Sequence, residues 1–323
     1  MMPVKLSSKR IGFLIAIILC FVLPPLIGST YILSFLIVIL MYALISSGWN
    51  IIGGFAGYNS FGHAFFFGVG AYLTAFMIWA LKANMFVALL VGVALTSLLA
   101  IPLGYPSLRL RGLYFALATY PINYVGLLLV TLLPYFGGAQ GILLKPIFPS
   151  LNPLTNEVVF YVLFLVAGLI GALINFKVKR SKFGLGLISI REDEDGARTC
   201  GVHVARLKIS AYSLSAIPIS IAGGLYVCYT GYLDPTTAFA FSMSMYAIAL
   251  TYMGGRATVM GPLVGSIIFV FFSEYLRYSV LGSFEGLHMV VLSIILILIM
   301  IFIPEGIVGY LCNKVKALRG ILF

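Results

Sequence analysis

The chain has 323 residues, 62% of them hydrophobic and only 9% charged, with a mean hydropathy of +1.11. Water-soluble domains run to roughly 45–50% apolar residues, so a soluble core is excluded as the explanation. The formal charge of +11 would suggest nucleic acid in a soluble protein, but here it reads as basic side chains at the ends of membrane helices, and no nucleic-acid partner is expected.

The apolar stretches are of helical length and rich in Leu, Ile, Val, Phe and Ala, unlike the alternating ten-residue segments of an outer-membrane barrel. The expected fold is an all-α integral membrane protein: a polytopic bundle of about ten transmembrane helices, broken at glycine-rich turns, in one transmembrane domain over residues 1–323.

In chain order, the basic residues Lys5, Lys9 and Arg10 precede an apolar run, 11–27. Its length, Pro24-Pro25 and the lack of a small-residue cleavage site favour a retained first span over a signal peptide. A second span, 31–52, leads into the glycine-rich turn Gly53–His63, and a third span follows to about residue 81. Span four is 85–104. Span five, 113–133, contains Pro121 and Asn123, and a long loop, 134–156, separates it from span six at 157–176.

The polar segment 177–208 comes next, with 8 of the 20 basic and 4 of the 9 acidic residues. Within it, 181–190 is expected to be broken by Gly184 and Gly186. Asp193 is expected to cap a second short helix that has Glu194 and Asp195 in its first turn, Arg198 near its end and Gly201 as its stop. Span seven, 209–230, is expected to be interrupted by Pro218 and Gly223-Gly224. Beyond a loop at 231–241 lie a short span eight, 242–253, the turn Gly254-Gly255-Arg256, span nine at 262–281 and span ten at 288–303, stopped by Pro304-Glu305-Gly306.

With ten spans, 17 of the 20 basic residues fall on the side of the termini. The excess of Lys and Arg on cytoplasmic loops then predicts an inner-membrane protein with both termini in the cytoplasm. The two glycine-rich turns, around 53–62 and 254–265, each follow the pattern of span, turn, span. Their glycine spacings differ, so an internal repeat is suggested and no more.

Polar residues at membrane depth are costly and therefore candidates for function. Asn50, Asn59, Ser60 and His63, with Asn123 of span five, are the candidate pathway or gate residues, where a broken helix would present backbone groups to a polar solute. Packing of small residues with satisfied polar side chains accounts for the same pattern equally well. Glu274 and Arg277, three apart on one helical face, are expected to pair with each other near the surface rather than to relay protons. Cys200 and His203 have no second ligand pair, so no metal is expected. Ser60 and His63 lack an orienting acid, and the chain has no phosphate-binding loop, so no catalytic residues and no cofactor are expected and any ATP must bind elsewhere.

The motifs resemble a known family over nearly the whole chain. Trp49 to Tyr72, containing Gly53, Ala56-Gly57, Ser60, Gly62-His63-Ala64 and Gly68-Val69-Gly70-Ala71-Tyr72, is similar to the first signature of permeases from branched-chain amino acid ABC importers. Arg109-Leu110-Arg111-Gly112, with Tyr114-Phe115-Ala116, resembles the LivM-type subunit rather than its LivH-type companion. Phe183-Gly184, Arg191-Glu192-Asp193-Glu194, Ala197 and Gly201 resemble that subunit's cytoplasmic loop, and Gly254-Gly255, Gly261-Pro262 and Gly265 match a later glycine pattern in part.

The resemblance implies a non-catalytic subunit in the lipid bilayer, paired with a related permease subunit, resting on two ABC ATPase subunits and receiving solute from an extracytoplasmic binding protein. It implies that Phe183, Gly184, Arg191, Glu192, Asp193, Glu194, Ala197 and Gly201 couple the loop to the ATPases. Branched-chain amino acids are the expected solute, with urea, short amides or another small solute as the alternative within the family and an ion-coupled carrier as the alternative outside it. Tyr58 stands where the family has Gln, and Leu113 where Asp is common; both departures are expected to fall near the pathway or its gate.

Overall fold

A chain this apolar satisfies its backbone within helices, and the computed structural model is built almost wholly from them. It describes residues 24–26, 28–278, 287–302 and 306–314. Residues 11–23 and 27 of the expected first span, the basic residues Lys316 and Arg319 near the end of the chain, and Pro304 and Glu305 of the expected helix stop lie outside the described residues.

The described helices are α1 (Thr30–Trp49), α2 (His63–Trp79), α3 (Met85–Ser107), α4 (Gly112–Leu132), α5 (Pro153–Arg180), α6 (Lys182–Glu192), α7 (Glu194–Thr199), α8 (Val204–Thr230), α9 (Pro235–Ala238), α10 (Phe241–Gly254), α11 (Gly261–Tyr278), α12 (Leu287–Phe302) and α13 (Gly306–Lys314). A π-helical turn, Asn50–Phe55, extends α1. Of these, α1 with its π turn, α3, α4, α5 and α8 are long and apolar enough to cross a membrane, while α2 is apolar but shorter. The structure therefore supports a helical membrane bundle, with five helices long and apolar enough to span it among the described residues.

The buried helix α8 is the axis of the larger core, packed against α1, α2, α3 and α5. It approaches α2 backbone to backbone: a Cβ on Gly223 would lie 2.1 Å from the Phe67 carbonyl oxygen, and one on Gly70 would lie 2.6 Å from Ser220 Cα. Small residues at these crossings let dispersion replace the hydrophobic drive that lipid does not supply. The other face of α1 supports a second core with α10, α11 and α12, built around Ile39, Leu250, Phe269 and Leu296.

Several expectations are corrected. Pro218 and Gly223-Gly224 do not interrupt α8, which is continuous because its packed neighbours hold it where its own ladder is weakened. Helix α5 starts at Pro153, a residue suited to a first helical turn, and runs to Arg180, since Lys and Arg are good helix formers whose heads reach water. With α8 starting at Val204, the polar segment contracts from 177–208 to 181–203. Helix α6 passes unbroken through Gly184 and Gly186. Gly184 instead permits the corner with α5, where a Cβ would lie 2.0 Å from the Val178 carbonyl oxygen.

The long loop and the loop after α8 are not simple connectors. Ile142–Leu143 (β1) pairs antiparallel with Tyr232–Leu233 (β2), a small exception to the all-helical expectation. From β2 the chain folds back into the bundle, and the buried Phe239 ring stacks on Tyr72 at 5.9 Å with an interplanar angle of 17°. This re-entry explains why α10 is short.

Candidate functional site

The first glycine-rich turn, the hairpin α6–α7 and the second glycine-rich turn converge at the basic end of the bundle. Asn50 is the hub on the membrane side. Its amide nitrogen donates to Asn175 Oδ1 at 2.9 Å and to the Thr258 carbonyl at 3.0 Å, while its oxygen accepts from the Ala257 N–H at 2.8 Å. Asn175 in turn donates to the carbonyls of Ser47, 2.9 Å, and Gly171, 3.0 Å. One fully buried amide pair thus ties α1 and α5 to the second turn, and it joins the two turns that the sequence picks out separately.

The N-terminus of α2 lacks helical acceptors for its first N–H groups, and neighbouring helices supply them. Ala64 N–H donates to Ser244 Oγ at 2.8 Å, and Phe65 N–H donates to Asn123 Oδ1 at 2.8 Å. Asn123 also donates to the Phe61 carbonyl at 2.7 Å, and Thr119 Oγ1 accepts from the Phe61 N–H at 3.0 Å. Ser60 is buried; its hydroxyl accepts from the Gly62 N–H, and its carbonyl accepts from Trp49 Nε1 at 2.9 Å. His63 Nε2 lies 3.1 Å from Ser215 Oγ, which is also within hydrogen-bond distance of the Tyr212 carbonyl. Its Nδ1 has no partner among the described residues. Asn59 alone of the five candidates is exposed, accepting from Tyr252 Oη at 3.1 Å. The structure therefore brings Asn50, Ser60, His63 and Asn123 around the broken region as buried, hydrogen-bonded groups and leaves Asn59 outside.

On the water side the hub is Glu194. Tyr58 Oη donates to one carboxylate oxygen, and Lys208 Nζ donates to the other at 3.1 Å and to Tyr58 Oη at 2.8 Å. Lys208, 4% exposed, also lies 4.5 Å over the Tyr58 ring. Arg198 reaches Glu194 at 3.3 Å and Arg111 reaches it at 3.5 Å, while Arg111 forks onto Asp195 at 2.7 and 2.9 Å. Arg191 Nη1 donates to the Gly54 carbonyl at 3.0 Å and pairs with Glu192 at 2.8 Å. Hairpin and first turn are thus joined at two points, Arg191 to Gly54 and Glu194 to Tyr58.

Charge states follow from these contacts. Burial alone would raise Glu194, but hydrogen bonds from Tyr58 and Lys208 outweigh it and hold the carboxyl below its ordinary value. Burial, and then the Glu194 contact, raise Tyr58, so the phenol stays a donor. The Arg111 fork lowers Asp195, and Arg191 lowers Glu192.

Of the expected coupling residues, Asp193 caps α7 by accepting from the Asp195 N–H at 3.0 Å, Ala197 is buried, and Gly201 turns the chain at φ +85°. Phe183 packs against the core beside the buried Gly184. Lys208 and Asn175 are missed by sequence reasoning: Lys208 is one of eight basic residues in the polar segment and Asn175 sits in an apolar helical run, and each acquires its partner only through packing. Tyr58 is legible as a departure from the family pattern, but the structure sets its hydroxyl against Glu194 of the hairpin. Glu274 and Arg277 face each other at 3.8 Å, away from this site.

A helical membrane bundle whose broken centre is tied to a charged hairpin at its basic end has the form of a membrane transport subunit. Residues 31–300 match the family described as branched-chain amino acid transport system, permease component, and the chain belongs to that family. It is 24% identical over 339 aligned residues to the high-affinity branched-chain amino acid transport system permease protein LivM of Escherichia coli K12, covering 97% of this chain and 78% of that protein. It is 22% identical over 311 residues to the probable branched-chain amino acid transport permease protein LivM of Methanocaldococcus jannaschii, covering 83% and 90%. The fructose import permease protein FrcC of Rhizobium meliloti is 32% identical over 113 residues, 34% of this chain and 31% of that protein. No solved structure matches.

Proposed function

We propose that this chain is a permease subunit of an ATP-driven importer of branched-chain or similar aliphatic amino acids. It forms a single membrane domain with both termini in the cytoplasm. A related permease subunit completes the pathway, two separate ATPase subunits hydrolyse ATP, and an extracytoplasmic binding protein delivers the solute. The observation that carries this reading is the double attachment of α6–α7 to the first glycine-rich turn through Glu194–Tyr58 and Arg191–Gly54. A force applied to the hairpin from the cytoplasm reaches the broken helix through these contacts. Asn50, Ser60, His63 and Asn123 then change partners as access switches.

The stretch shared with a fructose permease supports a second reading in the same class, with another small polar solute as cargo. Uptake of labelled leucine by the assembled complex in proteoliposomes tests the proposal. ATP-dependent uptake that survives a proton uncoupler is the expected result. Uptake that continues without hydrolysis and collapses with the uncoupler contradicts it and supports an ion-coupled carrier, whereas ATP-dependent uptake of other solutes alone supports the second reading.

A further inference from the structure

Between the C-terminus of α3 and the N-terminus of α8 lies an open hollow of about 430 Å³ whose wall carries Arg109, Arg111, Arg198 and Lys208. A second hollow, of about 390 Å³, shares Arg198 with it and adds His203 and Arg206. Glu194 and Asp195 are already engaged with Arg111, Arg198 and Lys208. Five arginine and lysine cations therefore face two carboxylates, and the surplus is positive. Among the described residues no ion pair involves Arg109 or Arg206. Arg109 instead lies across Tyr105, donating to its hydroxyl at 2.6 Å with the guanidinium 4.5 Å over the ring.

The hollow is apolar on one side, and that side continues along the helix. Leu98, Ile101 and Tyr105, at three- and four-residue spacing, form an exposed stripe on α3, a helix long and apolar enough to span the membrane. A basic pocket at the end of such a stripe sits at headgroup level, with hydrocarbon beside it and water beyond. The geometry points to a binding site for the phosphate headgroup of an anionic phospholipid, held by Arg109, Arg198 and Arg206 with its acyl chains along Leu98, Ile101 and Tyr105. A free phosphate would meet the same cations but gain nothing from the stripe. A docked protein would use the cations but leave the stripe in lipid. The inference requires only that this end of α3 and α8 lie at a bilayer boundary, and stands whichever solute is carried.

The test is lipid retention by the purified full chain in detergent, read by native mass spectrometry after addition of phosphatidylglycerol, phosphatidylcholine or inorganic phosphate. Wild type is expected to retain phosphatidylglycerol about tenfold better than phosphatidylcholine, and R109Q/R206Q is expected to lose about that preference. R277Q, at another surface, should behave as wild type, and millimolar phosphate should not displace the lipid. Equal retention of the two lipids by wild type overturns the proposal without reference to any variant. Displacement by phosphate makes the site one for a free anion, and unchanged lipid retention by R109Q/R206Q together with weakened ATPase-subunit binding makes it a protein contact; either result also overturns it.

Discussion

A buried cation and a mostly buried carboxylate, Lys208 and Glu194, are stable together because Tyr58 and Arg198 complete their hydrogen bonds and Arg111 adds a further ion pair. Removing one charge leaves the other without its partner, at a cost of about 3 kcal/mol. The folded value of Glu194 lies below its ordinary value, so its stabilisation is present above the ordinary carboxylate range and is lost as pH falls through the folded value. E194Q should therefore melt below wild type at pH 7, with the gap closing as the solution is acidified past that value. A gap independent of pH would show that the carboxylate charge does not hold the hairpin. At this scale the sequence is partly legible. Asn50, Ser60, His63 and Asn123 stand out because polar groups are costly in lipid, and they do gather around one turn. Their partners Asn175, Ser215 and Ser244 are invisible, because isolated polar residues in apolar helices carry no sign of which distant helix they meet.

Among the elements, spans are readable and their ends are not. The apolar runs that become α1, α3, α4 and α5 are plain in the sequence, yet helices absorb flanking Lys, Arg and Pro and overrun the runs that identify them. Pro218 and the paired glycines of α8 look like breaks, but packing overrides local propensity. Strand pairing of Ile142–Leu143 with Tyr232–Leu233 joins segments about ninety residues apart and has no local signal. The close crossing of α2 and α8 makes a direct prediction. G223A places a Cβ against the Phe67 carbonyl and should destabilise the chain by about 2 kcal/mol in reversible denaturation. G168A, whose Cβ would meet only Leu40 Cδ2 at 3.6 Å, should fall within about 0.5 kcal/mol of wild type or be slightly stabilising. Equal effects of the two would show that the crossing is not tight.

For the molecule as a whole, charge distribution and glycine placement have one geometric outcome: both glycine-rich turns and the charged hairpin occupy the same end. Asn50 links turn to turn, and Arg191 and Glu194 link hairpin to turn. The sequence pattern marks the three segments, and the family resemblance marks the hairpin, but only packing makes them a single connected body. If transport is driven from the hairpin, breaking these links separates the motor from the pathway without unfolding either. The decisive measurement is the ratio of labelled leucine taken up to ATP hydrolysed by the assembled complex carrying Y58F together with R191Q, which cut both links and leave the Glu194–Lys208 pair in place. The ratio is expected to fall at least about tenfold, the equivalent of about 1.4 kcal/mol of lost coupling, while hydrolysis continues and the subunit remains inserted and assembled. An unchanged ratio in a folded, assembled complex would contradict the assignment of the hairpin as the coupling element.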